Sequence, residues 1–146
     1  MKQPVHMKTI INKILVSLAL VFVLGSAITK VHSEEEKIPI ITIHSTRDVR
    51  RGKTGSFFLN INPPVMMGGT YVNFSVSGTA SPGVDYVPPV SPAYIGQSGY
   101  GVILVQTLPD PRASSGRQSY SVVVTLEPGP GYAVGEPKSA QMMIKP

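Results

Sequence analysis

Three aspartates, Asp48, Asp85 and Asp110, each stand beside a turn signal in a chain with only eight acidic residues. Carboxylates at loop tips are the raw material of a calcium site, because the ion gathers about six to eight oxygens at once. Aspartate in the same places also caps turns by accepting backbone hydrogen bonds. Spacing alone leaves both roles open. Other chemistry is sparse. His44 is the one histidine after residue 33, and it falls within a strand pattern. The chain has no cysteine, which removes thiolate nucleophiles, thiolate metal sites, disulfides and a lipid-modified cysteine. The run GQSGYG (96–101) approaches a nucleophile elbow, but Gly99 follows Ser98 directly, so the G-x-S-x-G spacing fails and a hairpin loop is the reading. There is neither a phosphate-binding loop nor a dinucleotide fingerprint. The expectation is a non-enzymatic protein without a cofactor, calcium being the one ion that the acids bring into question.

The elements that would position those acids are strands. Fourteen glycines and fourteen prolines punctuate the chain. Between them lie short runs rich in β-branched and aromatic residues: 38–45, 55–62, 70–77, 100–108, 119–127 and 140–145, with a weaker one at 92–96. In GSFFLNIN (55–62), Phe57, Leu59 and Ile61 share one face; in TYVNFSVS (70–77), Val72, Phe74 and Val76 do. Period-2 alternation gives a sheet one apolar face, and two such faces close on each other about 10 Å apart. Met142 and Ile144 would complete one inner face. About seven short strands at regular spacing predict an all-β, immunoglobulin-like antiparallel β-sandwich.

The N-terminus reads differently. Lys8 and Lys13 precede an apolar run from Ile14 to Ile28, shorter than the roughly 20 residues of a membrane span and matching a signal peptide with a basic start. Cleavage points stand after Ala27 and after Ser33, the second favoured because Glu34, Glu35, Glu36 and Lys37 follow as a solvated start. The expected organisation is a signal helix over 1–33, or an uncleaved anchor, an acidic linker over 34–37 and one sandwich domain over 38–146. The full chain carries a formal charge of +5, but four of its thirteen bases lie before residue 34 and all eight acids after it. Nine bases against eight acids do not make a field that recruits nucleic acid. The local cluster RDVRRGK (47–53) reads as a solvated loop. The expected location is secreted or periplasmic, with membrane contact only through an uncleaved leader.

Four segments carry a resemblance. GTASPGVDYV (78–87), ILVQTLPD (103–110), SVVVTLEPGPGYAVG (121–135) and AQMMI (140–144) together resemble the Calx-beta domain, an immunoglobulin-like sandwich of sodium/calcium exchangers and bacterial surface proteins. The likeness spans roughly 38–146, and G-T-A-x-x-G-x-D-Y is its most specific part. It implies a binding module whose calcium ions lie among the loops at one end. Carried over by position, the family's early Glu-Gly falls at Arg51-Gly52, its central Asp-Asp at Pro109-Asp110 and its terminal Asp-Asp at Lys145-Pro146. Its acidic loop becomes 111–119, with Arg112 and Arg117. Asp85 and Asp110 remain as metal ligands, with Asp48 as a third.

The resemblance therefore implies a calcium site in which cations have replaced acids. Asp85 is expected to bind loop backbone or to form a partly exposed pair with Arg51 or Arg112, with Tyr86 packed under the loop. The alternative is a working calcium module in which backbone carbonyls supplement Asp85 and Asp110. The partner expected is another envelope or extracellular protein, or a second copy, met at loop ends or sheet edges. Candidate contact residues are Met66 and Met67 in NPPVMMGG (62–69) and Arg112 and Arg117 in PDPRASSGR (109–117). The two methionines either offer an adaptable contact patch or fold over the end of the core.

Overall fold

The computed structural model describes residues 37–109 and 118–146. The expected signal helix over 1–33, most of the acidic linker, and Asp110, Arg112 and Arg117 lie outside them.

The described residues form ten strands in two sheets. In chain order they are β1 (Ile40–Ser45), β2 (Val49–Arg50), β3 (Thr54–Asn62), β4 (Thr70–Val72), β5 (Phe74–Ser77), β6 (Ala93–Ile95), β7 (Tyr100–Gln106), β8 (Tyr120–Leu126), β9 (Ala133–Val134) and β10 (Ser139–Lys145). One sheet runs β4-β6-β7-β3-β1-β9 and the other β2-β10-β8-β5. The all-β expectation holds. The count of about seven does not, because β2 and β9 have two residues each and leave no periodicity to read, and because 70–77 is two strands rather than one. Nor is the pairing antiparallel throughout. β9 joins β1 in parallel through Ile40 and Ala133, and β2 joins β10 in parallel through Ile144 and Val49.

Alternation decides what is buried. Phe57, Leu59 and Ile61 of β3 point inward, as do Val122 and Val124 of β8 and Met142 and Ile144 of β10, and all belong to one hydrophobic cluster. Burying each such side chain contributes roughly 1.5–3 kcal/mol. Gly55 opens the space that Met142 fills, since a Cβ there would strike the methionine sulfur and methyl group.

The division of 70–77 falls at Asn73. Val72 and Phe74 both face the core, so the alternation passes through Asn73 while the hydrogen bonding moves from the six-stranded sheet to the four-stranded one. Asn73 loses both ladders, and its backbone groups are satisfied elsewhere. Its N–H donates to the Tyr132 hydroxyl at 3.0 Å, and its carbonyl accepts from the Glu127 N–H at 2.9 Å. The Tyr132 hydroxyl in turn donates to the Glu127 carbonyl at 2.7 Å. One buried phenol thus closes the gap left where the chain changes sheets. Tyr132→Phe keeps the ring but strands a donor on Asn73 and an acceptor on Glu127. It should cost about 1–3 kcal/mol in urea unfolding with an unchanged denaturant slope; a loss below about 0.5 kcal/mol would show that water replaces the hydroxyl.

Candidate functional site

The segment GTASPGVDY (78–86) builds one end of the molecule, and each residue type has a local reason. Gly78 has φ +122 and passes so close to the Ser121 carbonyl that a Cβ could not be accommodated. Thr79 then imitates a strand pair: its N–H donates to the Ser121 hydroxyl at 3.0 Å, and its own hydroxyl accepts from the Ser121 N–H at 2.8 Å. Ala80 is small enough to be buried there. Gly83, at φ +78, turns the chain so that its N–H reaches the Tyr86 carbonyl at 2.8 Å.

This loop delivers Asp85 into the interior, where its side chain is 0 % exposed. One carboxylate oxygen accepts from Arg51 Nη2 at 2.9 Å and the other from the Ser81 N–H at 2.7 Å. Arg51 comes from the turn after β2 and is itself only 7 % exposed. Its backbone N–H extends the β2–β10 pairing to the Lys145 carbonyl at 3.0 Å, and its guanidinium lies 5.3 Å from the centre of the Tyr120 ring. The expected partly exposed pair is therefore buried on both sides. The reading of 47–53 as a solvated loop is corrected as well: Val49 lies in the core and Arg51 beneath the surface. A charge-rich run looks solvated when the partner that buries it stands thirty-four residues away.

Tyr86 packs into the core beside Asp85. Burial pushes its phenol above the ordinary tyrosine range, and the Asp85 charge adds to that. Thr107, which the sequence does not single out, is the third member of this cluster. Buried just past β7, its hydroxyl donates to the Lys53 carbonyl at 2.6 Å and accepts from the Lys53 N–H at 3.0 Å. Beside it the Leu108 N–H donates to the Asp85 carbonyl at 2.8 Å. The available signal was a lone hydroxyl ending an apolar strand, where a ladder partner gives out.

Asp48 does not join this group. It points to β10, where one oxygen meets Lys145 Nζ at 2.7 Å and the other accepts from the Met143 N–H at 3.2 Å. The Lys145 hydrogen bond, then the Met143 N–H, hold its carboxyl below the usual aspartate range. Among the described residues, no three histidine, cysteine, aspartate or glutamate side chains gather closely enough to hold a metal.

Met66 and Met67 lie at the opposite end of β3, about 30 Å away along the strand. They are 80 % and 87 % exposed, so they do not fold over the core end. They border an open groove of about 780 Å³ with Pro63, Pro64, Ile38 and Tyr132.

No protein-family model and no curated protein matches the chain. Among solved structures, a conjugative transposon lipoprotein from Bacteroides eggerthii matches with a TM-score of 0.38 and 9 % identity, over 71 % of this chain and 93 % of that one.

Two measurements follow from this geometry. Removing one partner of a buried pair takes away attraction that offsets the burial of the other charge, so Arg51→Met and Asp85→Leu should each cost about 3–5 kcal/mol. The double variant should lose clearly less than the sum, and strict additivity in a double-mutant cycle would mean that the two groups are not coupled. The depressed Asp48 carboxyl works on the acid side. Below the ordinary aspartate value the unfolded chain takes up the proton first, so its stabilising effect is complete above about pH 4 and fades as pH falls through the lower folded value. Asp48→Asn should flatten the stability profile below pH 4 and leave its shape above pH 5 unchanged.

Proposed function

We propose that this chain is an exported, non-enzymatic Calx-beta-like module that works by protein contact, and that its own cations stand where relatives of that family hold calcium. One observation carries the reading. Asp85, the acid of the G-T-A-x-x-G-x-D-Y segment, is sealed from solvent with both oxygens already bonded, one of them to a guanidinium at 2.9 Å. A divalent ion at that carboxylate would meet a fixed positive charge.

The pattern repeats at Lys145, which falls where the family's terminal acids fall and pairs with Asp48 at 2.7 Å. At both positions a base replaces an acid and finds a carboxylate of this chain. Exchange of this kind keeps the loops ordered without an ion. It supports a constitutive contact module rather than one switched by calcium. The non-enzymatic part rests on the sequence, which offers one histidine after residue 33 and no cysteine. Export rests on the basic and apolar start of the chain. Protein contact rests on Met66 and Met67, exposed side by side along a groove with Pro63, Pro64 and Ile38, since a contiguous apolar surface marks an interaction site.

Calcium titration followed by thermal unfolding tests the proposal. The midpoint should stay constant up to millimolar calcium, whereas any ligand bound by the native state alone raises it. A rise of several degrees at sub-millimolar calcium would overturn the proposal and restore a working ion site at Asp85 and Asp110.

A further inference from the structure

The two outer faces of the molecule differ in kind. On the four-stranded sheet the outward positions of β5 and β10 include Ser75, Ser77, Ser139 and Gln141, all exposed and all polar. On the six-stranded sheet the outward positions of β4, β6 and β7 are Tyr71, Tyr94, Tyr100, Val102 and Leu104, with Gln106 at the end of β7, and these are exposed too. Leu104 is 61 % exposed and Tyr71 66 %. β7 is therefore apolar on both sides, with Ile103 and Val105 in the core and Val102 and Leu104 outside it.

The outer residues form a connected surface. The pairing register sets Val102 opposite Phe58, and Phe58 opposite His44. The last two rings stack with centroids 5.7 Å apart and planes 16° apart. Tyr71 stands opposite Tyr94, with ring centres 5.2 Å apart. Because β6 lies beside β7, the row crosses five strands, about 20 Å at the usual strand spacing. Leu104 and Tyr100 flank it along β7.

No residue in any strand of this sheet is Lys, Arg, Asp or Glu. In a two-fold contact the residues nearest the axis meet their own copies, so a charge at the centre of the patch would face a like charge. A sheet without charge is the surface on which that repulsion does not arise. The five exposed tyrosine, valine and leucine residues on β4, β6 and β7 present on the order of 600 Å², short of the roughly 800 Å² per partner of a standard interface, and Phe58 and His44 extend the patch beside them. Aromatic enrichment with charge excluded from the centre is the composition of an interface core. The edges favour a face as well. The edge strands of the two sheets, β4, β9, β2 and β5, have two to four residues each, too short to template a long added strand. A polysaccharide suits the surface less well: the Tyr71 and Tyr94 rings are tilted by 50° to each other, and the centre is aliphatic.

We propose that the outer face of the six-stranded sheet is a self-association surface, on which a second copy of this chain packs sheet against sheet around Val102, Leu104 and Tyr94. The inference rests on the protein-contact reading and names the partner as the chain itself.

Sedimentation equilibrium of the full chain tests it. The wild type should be dimeric at about 100 μM, a concentration at which even a 10 μM complex is mostly assembled. Leu104→Glu should shift it to monomer with its thermal midpoint within a few degrees of wild type, since Leu104 lies outside the core. Ser75→Glu on the opposite face should stay dimeric. A monomeric wild type, or a Leu104→Glu protein that remains dimeric, would overturn the proposal. A photo-crosslinking amino acid in place of Tyr94 separates this proposal from the reading beneath it. Crosslinks to a second copy support self-association. Crosslinks only to a different protein overturn it and leave protein contact standing. A monomer that forms no crosslink overturns self-association and leaves protein contact to the Met66 and Met67 surface, and one retarded on polysaccharide through this face overturns self-association in favour of a glycan-binding reading.

Discussion

A carboxylate withdrawn from water dictates how one end of this molecule is built. An ionised aspartate without partners is too costly to bury, so Asp85 can occupy the interior only if a charge and backbone donors are brought to it. Arg51 supplies the charge and Ser81 a donor. Bringing them there ties together the loop before β6, the turn after β2 and the end of β7, with Thr107 holding the Lys53 backbone in place. Those pieces belong to both sheets. A buried ion pair is weak evidence of net stability, because desolvation offsets much of the attraction. What it supplies here is a single arrangement of three loops that mixed apolar contacts would leave loose.

The other end is closed by a neutral device. Tyr132 serves Asn73 and Glu127 together where the chain passes from one sheet to the other. Each pole of the sandwich thus has one buried polar knot, and the apolar side chains between them need only alternate. This division explains why a chain without disulfides holds together with such short outer strands.

It also explains what could be read in advance. The inward faces of β3 and β10 were legible because alternation is a property of consecutive residues, and Phe57, Leu59, Ile61, Met142 and Ile144 all lie where it puts them. The change of sheets at Asn73 was hidden for the same reason, since alternation continues unbroken from Val72 to Phe74 while only the hydrogen-bond partners change. β2 and β9, at two residues, span a single period of strand alternation and so show no repeat. At the site, Asp85 stood out as an acid just past a glycine-rich loop, and Arg51 was one of two cations expected to meet it. That the pair would be buried was not legible, because burial involves the Tyr120 ring, which reaches Arg51 only once β2, β10 and β8 lie side by side. Thr107 and Tyr132 gave still less, for a hydroxyl shows its role only through the backbone groups that it meets.

The placement of charge completes the physical picture. Formal charges sit in the loops and on the four-stranded sheet, where Arg50 and Lys145 lie on neighbouring strands, and none sits on the six-stranded sheet. Strands that form a core must be apolar on one side only, so the composition of the inner face leaves the outer face free to be anything. In the four-stranded sheet that freedom is used mostly for hydroxyl, amide and charged groups, with Val123 and Met143 half-buried among them. On β4, β6 and β7 of the six-stranded sheet it is used mainly for tyrosine, valine and leucine, which gain nothing from water and nothing from the core, while β1 and β3 add Thr42, Ser56 and Asn60 beside His44 and Phe58. Keeping such a surface exposed carries an aggregation hazard that a single lysine on β7 would relieve. A face that is uncharged over the whole sheet and largely apolar on β4, β6 and β7 fits a surface that is covered when the protein works. The polar knots at the two ends matter to that role, because they fix the loops that join the two sheets and so the positions of the strands that carry this face.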